Sequence, residues 1–383
     1  MPQHIVIVAD DVTGACDSAA AFVGCGRVRM VLDGVGVVDA KDPGEDTAEI
    51  VSITTESRDL AAVHAAARVT EAIEGVLQAG GDTLVFKKVD SAGRGQFAAE
   101  IEAALAASGA ALALVAPAFP EAGRTVLNGV LSVRDCSGQD RQISLPELFS
   151  ADAALRVALL AVSSETDLHA AIAGAIESEV RILICDAVEQ TDLERLAAAA
   201  LRIAQPILWA GSAGLARALA LQMQAAEVSR KGRTSAPVAL RAGGAILFTG
   251  TPHPVTALQV ARLERGLSGE HRRAIYRVAE AGASHEAVVA AFLSQDYSAV
   301  ILNGGDTAAF VLRALGARAI GIAGEVAPGM PWGMIEGGVA DGRAVVTKSG
   351  GFGERDALVR AFEFCESKFC ESGIYESGVL STE

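Results

Sequence analysis

The sequence predicts an α/β protein of two domains, each with a largely parallel sheet flanked by helices. At 383 residues the chain exceeds one ordinary hydrophobic core, so length favours two domains over one or three. Hydrophobic residues make up 51% and aromatic residues only 4%, so the core is built from Ala, Val, Leu and Ile. Short β-branched runs alternate with Ala-rich helical runs, and several of those runs end in a cluster of polar residues, where open α/β sheets bind ligands.

Charge narrows the partners. Lys and Arg number 32 against 47 Asp and Glu, a net charge of −15, which argues against general affinity for nucleic acid or an anionic membrane. No apolar run has transmembrane length, and the first strand starts too close to Met1 for a secretory signal, so a cytoplasmic protein is expected. The six cysteines, Cys16, Cys25, Cys136, Cys185, Cys365 and Cys370, form no C-x-x-C pair and have no histidine at ligand spacing. They read as reduced thiols rather than as a zinc site or a disulfide framework.

The opening stretch, IVIVADDVTGA from Ile5 to Ala15, is a doubly buried strand that meets two carboxylates, Asp10 and Asp11, where it ends. Thr13 and Gly14 then open a helix. One aspartate suffices as a helix cap; two adjacent ones exceed that need. Strands follow at Val28 to Leu32 and Glu49 to Thr54, with an acidic loop over 39–46 between them. The second of these strands runs into Arg58, a candidate anion ligand or, equally on spacing, a surface partner of Asp59. A helix over Leu60 to Ala79 leads to strand Thr83 to Val89, after which Lys88, Asp90, Ser91 and Arg94 crowd a turn with Gly93 and Gly95. Short side chains beside Lys, Asp and Arg suit a small oxyanion that needs converging donors. Helix from Phe97, strand Leu112 to Ala116 and the segment PAFPEAGR with Arg124 come next.

Residues 127–161 read as a less regular insertion with short strands. Strand Arg181 to Asp186, helix Leu193 to Ile203 and strand Ile207 to Ala210 lead into GSAGLARALA, whose Gly211, Ser212 and Gly214 open a helix. The basic, aperiodic run over 229–244 reads as a linker between domains at 1–228 and 245–370, with a polar tail over 371–383. The second domain begins with strand Ala245 to Phe248, the turn TGTPHPVT and a helix from Val255. Strand Ala299 to Leu302 enters Asn303, Gly304, Gly305, Asp306 and Thr307 before a helix from Ala308. Two glycines at a helix mouth suit a phosphate, and Asp306 suits magnesium or a ribose hydroxyl, although a simple cap by Asp306 or Thr307 explains the turn equally well. GEVAPGMPWG reads as turns, and strand Val345 to Lys348 ends in the glycine-rich SGGFG. Neither G-x-x-x-x-G-K-[ST] nor a strand-linked G-x-G-x-x-G occurs, so a Walker-type NTPase or a dinucleotide enzyme is disfavoured.

Taken in order, VADDVTGACDSA, Ser57-Arg58, KKVDSAGRG, PAFPEAGR, GSAGLA, GTPHPVT, NGGDTA, GEVAPGMP and TKSGGFG resemble the four-carbon acid sugar kinase family over nearly the whole chain. The resemblance implies an N-terminal domain that binds a sugar acid such as threonate, erythronate or 3-oxo-tetronate, a C-terminal domain that binds ATP, and an active site in the interdomain cleft. It places Asp10, Asp11, Arg58, Lys88, Asp90, Ser91 and Arg94 on the acid side. Thr251, His253, Gly304, Gly305, Asp306, Thr307, Gly350 and Gly351 fall on the nucleotide side. Two stretches depart from the family pattern. Ser91 is followed by Ala92 and Gly93 where Thr and Leu or Phe are usual, and a Gly-Ser-x-Ser-Pro turn is replaced by Gly250, Thr251, Pro252, His253 and Pro254.

The expected chemistry is in-line transfer of the γ-phosphoryl of Mg-ATP to a terminal hydroxyl. Arg58 and Arg94 are expected to clamp the acid's carboxylate, Asp11 or Asp90 to orient or deprotonate the hydroxyl, and Lys88 to neutralise charge. A kinase of another hydroxy acid, an aspartyl-phosphate enzyme lacking the usual Asp-x-Asp spacing, and a two-lobed binder without catalysis are the alternatives. A homodimer is compatible with the sequence.

Overall fold

The computed structural model describes residues 4–32, 48–78, 82–134, 140–149, 155–163, 165–228, 244–266, 274–278 and 284–370. The acidic loop over 39–46, the linker over 229–243 and the tail over 371–383 lie outside them. Contacts divide the chain into one unit at 1–229 and another at 230–383.

The first unit carries strands β1 (His4–Ala9), β2 (Gly26–Val31), β3 (Ala48–Thr54), β4 (Thr83–Lys88) and β5 (Leu112–Ala116), then β6 (Arg124–Leu127), β7 (Val130–Arg134), β8 (Asp140–Ser144), β9 (Val157–Leu160), β10 (Ile182–Cys185) and β11 (Ile207–Gly211). Its helices are α1 (Val12–Ala20), α2 (Ala62–Leu77), α3 (Phe97–Ser108), the single turn α4 (Leu145–Leu148), α5 (Leu168–Glu177), α6 (Gln190–Ala200) and α7 (Ala213–Val228). Eight strands form one wholly parallel sheet in the order β2-β3-β1-β4-β11-β5-β10-β9. Helices α2 and α3 pack together, and α1, α7, α6 and α5 pack in sequence. β1 is buried from Ile5 to Ala9, as a strand covered on both faces must be.

Chain direction along the sheet reverses around β1: β2 and β3 lie to one side, β4 to the other. That is the topological switch point, so the loops leaving β3, β1 and β4 converge at one carboxyl edge. The insertion is more regular than its sequence suggests. β6, β7 and β8 form a separate antiparallel sheet, while β9 joins the main sheet beside β10. Asp186, just past β10, anchors it by accepting the amides of Asn128 and Gly129, both at 2.9 Å.

The second unit holds β12 (Gly244–Thr249), β13 (Ile275–Arg277), β14 (Tyr297–Asn303), β15 (Ala319–Ala327), β16 (Met330–Glu336) and β17 (Ala344–Lys348), with α8 (Pro254–Gly266), α9 (His285–Leu293), α10 (Gly305–Ala314) and α11 (Ala357–Cys370). β13-β12-β14-β17 are parallel and β17-β16-β15 antiparallel. GEVAPGMPWG, read from sequence as turns, is therefore mostly a hairpin. Its Pro and Gly residues look like breakers, but Gly329 sits at φ +74° in the connection and Pro331 lies outside the part of β16 that pairs with β17. α10 begins at Gly305, three residues before the expected start, so Asp306 and Thr307 occupy its first turn.

A buried ion pair braces the first sheet from below. Lys87 Nζ lies 3.0 Å from a Glu100 carboxylate oxygen and donates to the carbonyls of Val8 and Lys88. The other Glu100 oxygen accepts from Ser57, whose hydroxyl is 2.7 Å from that of Thr55. Removing one partner strands the other charge in the core. We expect Glu100→Ala to lower stability by about 3–5 kcal/mol in urea unfolding. The double variant Lys87→Met/Glu100→Leu should lose clearly less; equal losses would show that the two charges are not coupled.

Candidate active site

Three loops from adjacent strands meet at the carboxyl edge of the first sheet. After β1, Asp11 caps α1: its Oδ1 accepts the Gly14 amide at 2.8 Å and its Oδ2 accepts the Thr13 hydroxyl at 2.8 Å. After β3, the chain is tied back to β1 by the amide and hydroxyl of Thr55 on Ala9 O and by the amide of Ser57 on Asp10 O. Glu56 turns through φ +45° between them, and Arg58 is thereby aimed across the end of β1. After β4 come Lys88 and Asp90, whose Oδ1 accepts the Ala92 amide at 2.7 Å.

Arg58 is the hub. Its Nε and Nη2 donate to the two oxygens of Asp10 at 2.7 and 3.1 Å, its Nη1 to Asp11 at 2.9 Å, and Nη2 lies 3.3 Å from Asp90. The partnership with Asp59 weighed from sequence is not formed; Asp59 is exposed. Arg94 donates through Nε and Nη2 to the same Asp90 oxygen at 3.1 and 2.6 Å, with about half of its side chain in solvent. The guanidinium of Arg58 is thus engaged by three carboxylates of its own chain and holds them together.

The carboxylates respond differently to this hub. Burial, with the like charge of Asp11 adding to it, pushes Asp10 above the usual carboxylate range despite the pull of Arg58. Burial acts against ionisation of Asp11 as well, but Arg58, Lys88 and the Thr13 hydroxyl outweigh it and hold that group low. For Asp90 burial is outweighed by Arg58 and Arg94, which leave it far below the ordinary range. One turn along α1, burial raises Asp17, whose nearest cation is Arg217 at 3.9 Å.

Lys88 is buried, yet among the described residues it makes no hydrogen bond and no ion pair within 4 Å. Its ammonium lies against Gly14, beside Asp11: a Cβ on Gly14 would stand 2.8 Å from Nζ and 2.5 Å from Asp11 Oδ1. Gly95, at φ +83°, passes over Asp10, where a Cβ would come within 3.2 Å of Oδ2. Gly93, at φ +66°, lies under the antiparallel sheet, with Ile143 Cδ1 2.5 Å from where its Cβ would be. Arg141 also reaches the carbonyl of Ala92. The insertion thus forms a wall on the Asp90–Gly95 turn, with Ile143 and Leu131 over Gly93. Ser91 is half-buried in this turn.

The second unit repeats the plan with backbone in place of charge. The loops after adjacent strands β12, β14 and β17 bring together Thr251, His253, Gly304, Gly350 and Gly351. Cβ atoms on Gly304 and Gly350 would stand 3.1 and 2.7 Å from Thr251, and one on Gly351 would stand 2.9 Å from the His253 ring. Gly304 caps α10 at φ +105° and donates to Lys348 O at 2.8 Å. Gly305, exposed Asp306 and buried Thr307 follow. Sequence reasoning gave no site role to Lys348, Thr256 or Gln259 and named Asn303 only as the start of the glycine turn. All four are buried polar groups beneath these loops, and Gln259 Nε2 lies within 2.8–3.1 Å of the carbonyls of Phe352, Gly353 and Glu354.

Comparison with known proteins agrees with this division. A model described as a sugar-binding N-terminal domain matches residues 5–219, and one described as a nucleotide-binding C-terminal domain matches residues 215–358. The chain belongs to the four-carbon acid sugar kinase family. A D-threonate kinase of Bordetella bronchiseptica is 36% identical over 94% of this chain and 96% of its own. Another D-threonate kinase, of Cupriavidus necator, is 31% identical over 94% and 97%. A 3-oxo-tetronate kinase of the same species is 29% identical over 91% and 94%. The fold is shared with a solved Salmonella typhimurium LT2 protein, at TM-score 0.71 and 22% identity over 94% of this chain and 98% of that one. A Haemophilus influenzae protein shares it as well, at TM-score 0.64 and 21% identity over 95% and 100%. Among the described residues no helix is long and apolar enough to cross a membrane.

The contact at Gly14 yields a test. The atoms that a Gly14→Ala methyl would displace are the ends of the Lys88 and Asp11 side chains, so the damage falls on the site rather than on the backbone. We expect kcat/KM to fall at least about tenfold with little change in thermal unfolding midpoint, since small misplacements of reacting groups are costly.

Proposed function

We propose that this chain is an ATP-dependent kinase that phosphorylates the terminal hydroxyl of a four-carbon sugar acid, with D-threonate the first candidate. The observation that carries the reading is Lys88: a buried ammonium, unpartnered among the described residues, held between the Asp11 cap and Asp90 at a sheet switch point. A buried cation beside the Asp11 and Asp90 carboxylates suits the charge that develops on a transferring phosphoryl group. The D-threonate kinases that the chain resembles along nearly its whole length support the choice of acid.

We assign the acid to residues 1–228 and the nucleotide to residues 245–370. Asp11 is the residue we place on the attacking hydroxyl, because Lys88, the cation we assign to the phosphoryl group, lies beside it against Gly14. Asp90 has its oxygens filled by Arg58, Arg94 and the Ala92 amide, and Asp11 has its own filled by Gly14, Thr13 and Arg58; both are held low, so each orients the hydroxyl rather than deprotonating it. Arg94 and Ser91, both reachable from solvent, are left to meet the acid's carboxylate and hydroxyls. Thr251, His253, Gly304, Gly305, Thr307, Gly350 and Gly351 cradle the phosphates. An aspartyl nucleophile fits poorly, since both oxygens of Asp10 receive N–H groups of Arg58.

Magnesium fits the donor set. Among the described residues no three His, Cys, Asp or Glu side chains gather into a metal cluster, and Asp306 is a single exposed carboxylate in the first turn of α10. One carboxylate suits an ion that takes its other ligands from phosphate and water. When bound it supplies neutralisation of phosphate charge.

A second reading, a kinase of a different hydroxy acid, is favoured by one feature: Ile143 fills the space over Gly93, reshaping the wall of the acid pocket. ADP release with Mg-ATP and a panel of D- and L-threonate, D- and L-erythronate and the 3-oxo-tetronates separates the two. We expect D-threonate to drive turnover and Asp11→Asn to lower kcat by about a hundredfold or more. ATP binding without turnover of any four-carbon acid would favour the second reading, and acid binding without ATP binding would favour a non-catalytic binder.

A further inference from the structure

Lys348 ends β17 and enters the SGGFG turn. Its side chain is fully buried, and its ammonium faces backbone rather than a carboxylate. Nζ donates to the carbonyls of Ser349, Gly350 and Phe352 at 2.7, 3.3 and 2.9 Å. Thr256 adds a hydroxyl to Gly350 O at 2.8 Å, and Gln259 holds the carbonyls of Phe352, Gly353 and Glu354. Because a trans peptide places its C=O and N–H on opposite sides, drawing these carbonyls inward turns the following amides outward. The amides of Gly350, Gly351 and Gly353 indeed make no hydrogen bond among the described residues. Successive unpaired N–H groups over a buried cation form an anion-binding concavity.

We propose that Lys348 is the positioning residue of the nucleotide cradle, gathering the carbonyls of the glycine turn so that its amides face the phosphates, and serving as the buried counter-charge to them. The inference rests on the kinase reading and deepens it. It also makes nucleotide binding proton-linked. Charged and titratable groups on the surrounding elements do not pair with Lys348. His253 packs on Gly351, Asp306 is exposed on α10, Glu264 of α8 pairs with Arg277, and Glu354 and Asp356 pair with Arg360 of α11. Burial alone therefore acts on the amine and brings it down to about 7. An arriving polyphosphate favours the charged form, so the protein takes up a proton on binding at and above neutral pH. Affinity then weakens as pH rises through that range.

Isothermal titration with Mg-ATP, in excess magnesium at pH 7.5 and in two buffers of different ionisation enthalpy, reads the proton directly. Wild type should take up a substantial fraction of a proton per nucleotide. Lys348→Arg, whose guanidinium stays charged throughout, should take up correspondingly less. Lys348→Met should raise the KM for ATP at least about tenfold while leaving the KM for the acid near wild type. Equal proton uptake in wild type and Lys348→Arg, or an unchanged KM for ATP in Lys348→Met, overturns the proposal alone. A wild-type protein that binds no Mg-ATP overturns the kinase reading with it.

Discussion

A single guanidinium holding three carboxylates is the interaction on which the first unit depends. Asp10, Asp11 and Asp90 arrive from two loops, are all buried, and without Arg58 would repel one another at the end of a buried sheet. Arg58 reaches them only because the loop after β3 is stitched to β1 through Thr55 and Ser57, and that stitching continues through Glu100 to Lys87. The charges at the carboxyl edge and the charges that brace the sheet are thus one connected network. Ionised groups concentrated in a low-dielectric edge are costly, and the network offsets that cost with direct pairing and hydrogen bonds. Among the described residues Lys88 is a buried cation that this pairing leaves without a hydrogen bond or ion pair.

The two units solve the same problem with different materials. Each gathers polar groups on loops after three adjacent parallel strands, β3, β1 and β4 in one and β12, β14 and β17 in the other. In the first the loops carry charged side chains; in the second they carry glycines that bring backbone close to Thr251 and His253. The hidden support differs accordingly. Carboxylates need a guanidinium, whereas a glycine turn, having no side chains to lock it, needs its carbonyls held from beneath by Lys348, Thr256 and Gln259.

Much of this was legible in the sequence. A β-branched run ending in charge marks a carboxyl edge, which is why Asp10, Asp11, Arg58, Lys88 and Asp90 could be named from IVIVADD, SITTESR and TLVFKKVD. The supports were harder to read, since a polar residue inside a strand or helix resembles a solvated one. The signal was nonetheless present: Glu100 shares a helical stripe with Phe97, Ile101 and Ala104, and Gln259 shares one with Thr256, Val260 and Leu263, all buried. A charge or amide on an apolar stripe has to find a partner inside. The role of Arg58 could not be read, because clamping a substrate and clamping three aspartates require the same residue at the same strand end. The insertion and its short strands were legible, but not their antiparallel pairing into a sheet of their own, because strands of four or five residues leave little periodicity to read.

Unfolding of Arg58→Gln, alone and combined with Asp10→Asn, measured in urea at neutral pH, tests this account most directly. If Arg58 neutralises buried carboxylates, the single variant loses about 3–5 kcal/mol and the added Asp10→Asn restores a large part of it. If Arg58→Gln instead unfolds like wild type and has merely lost affinity for the acid, Arg58 is a substrate clamp and the network does not depend on it.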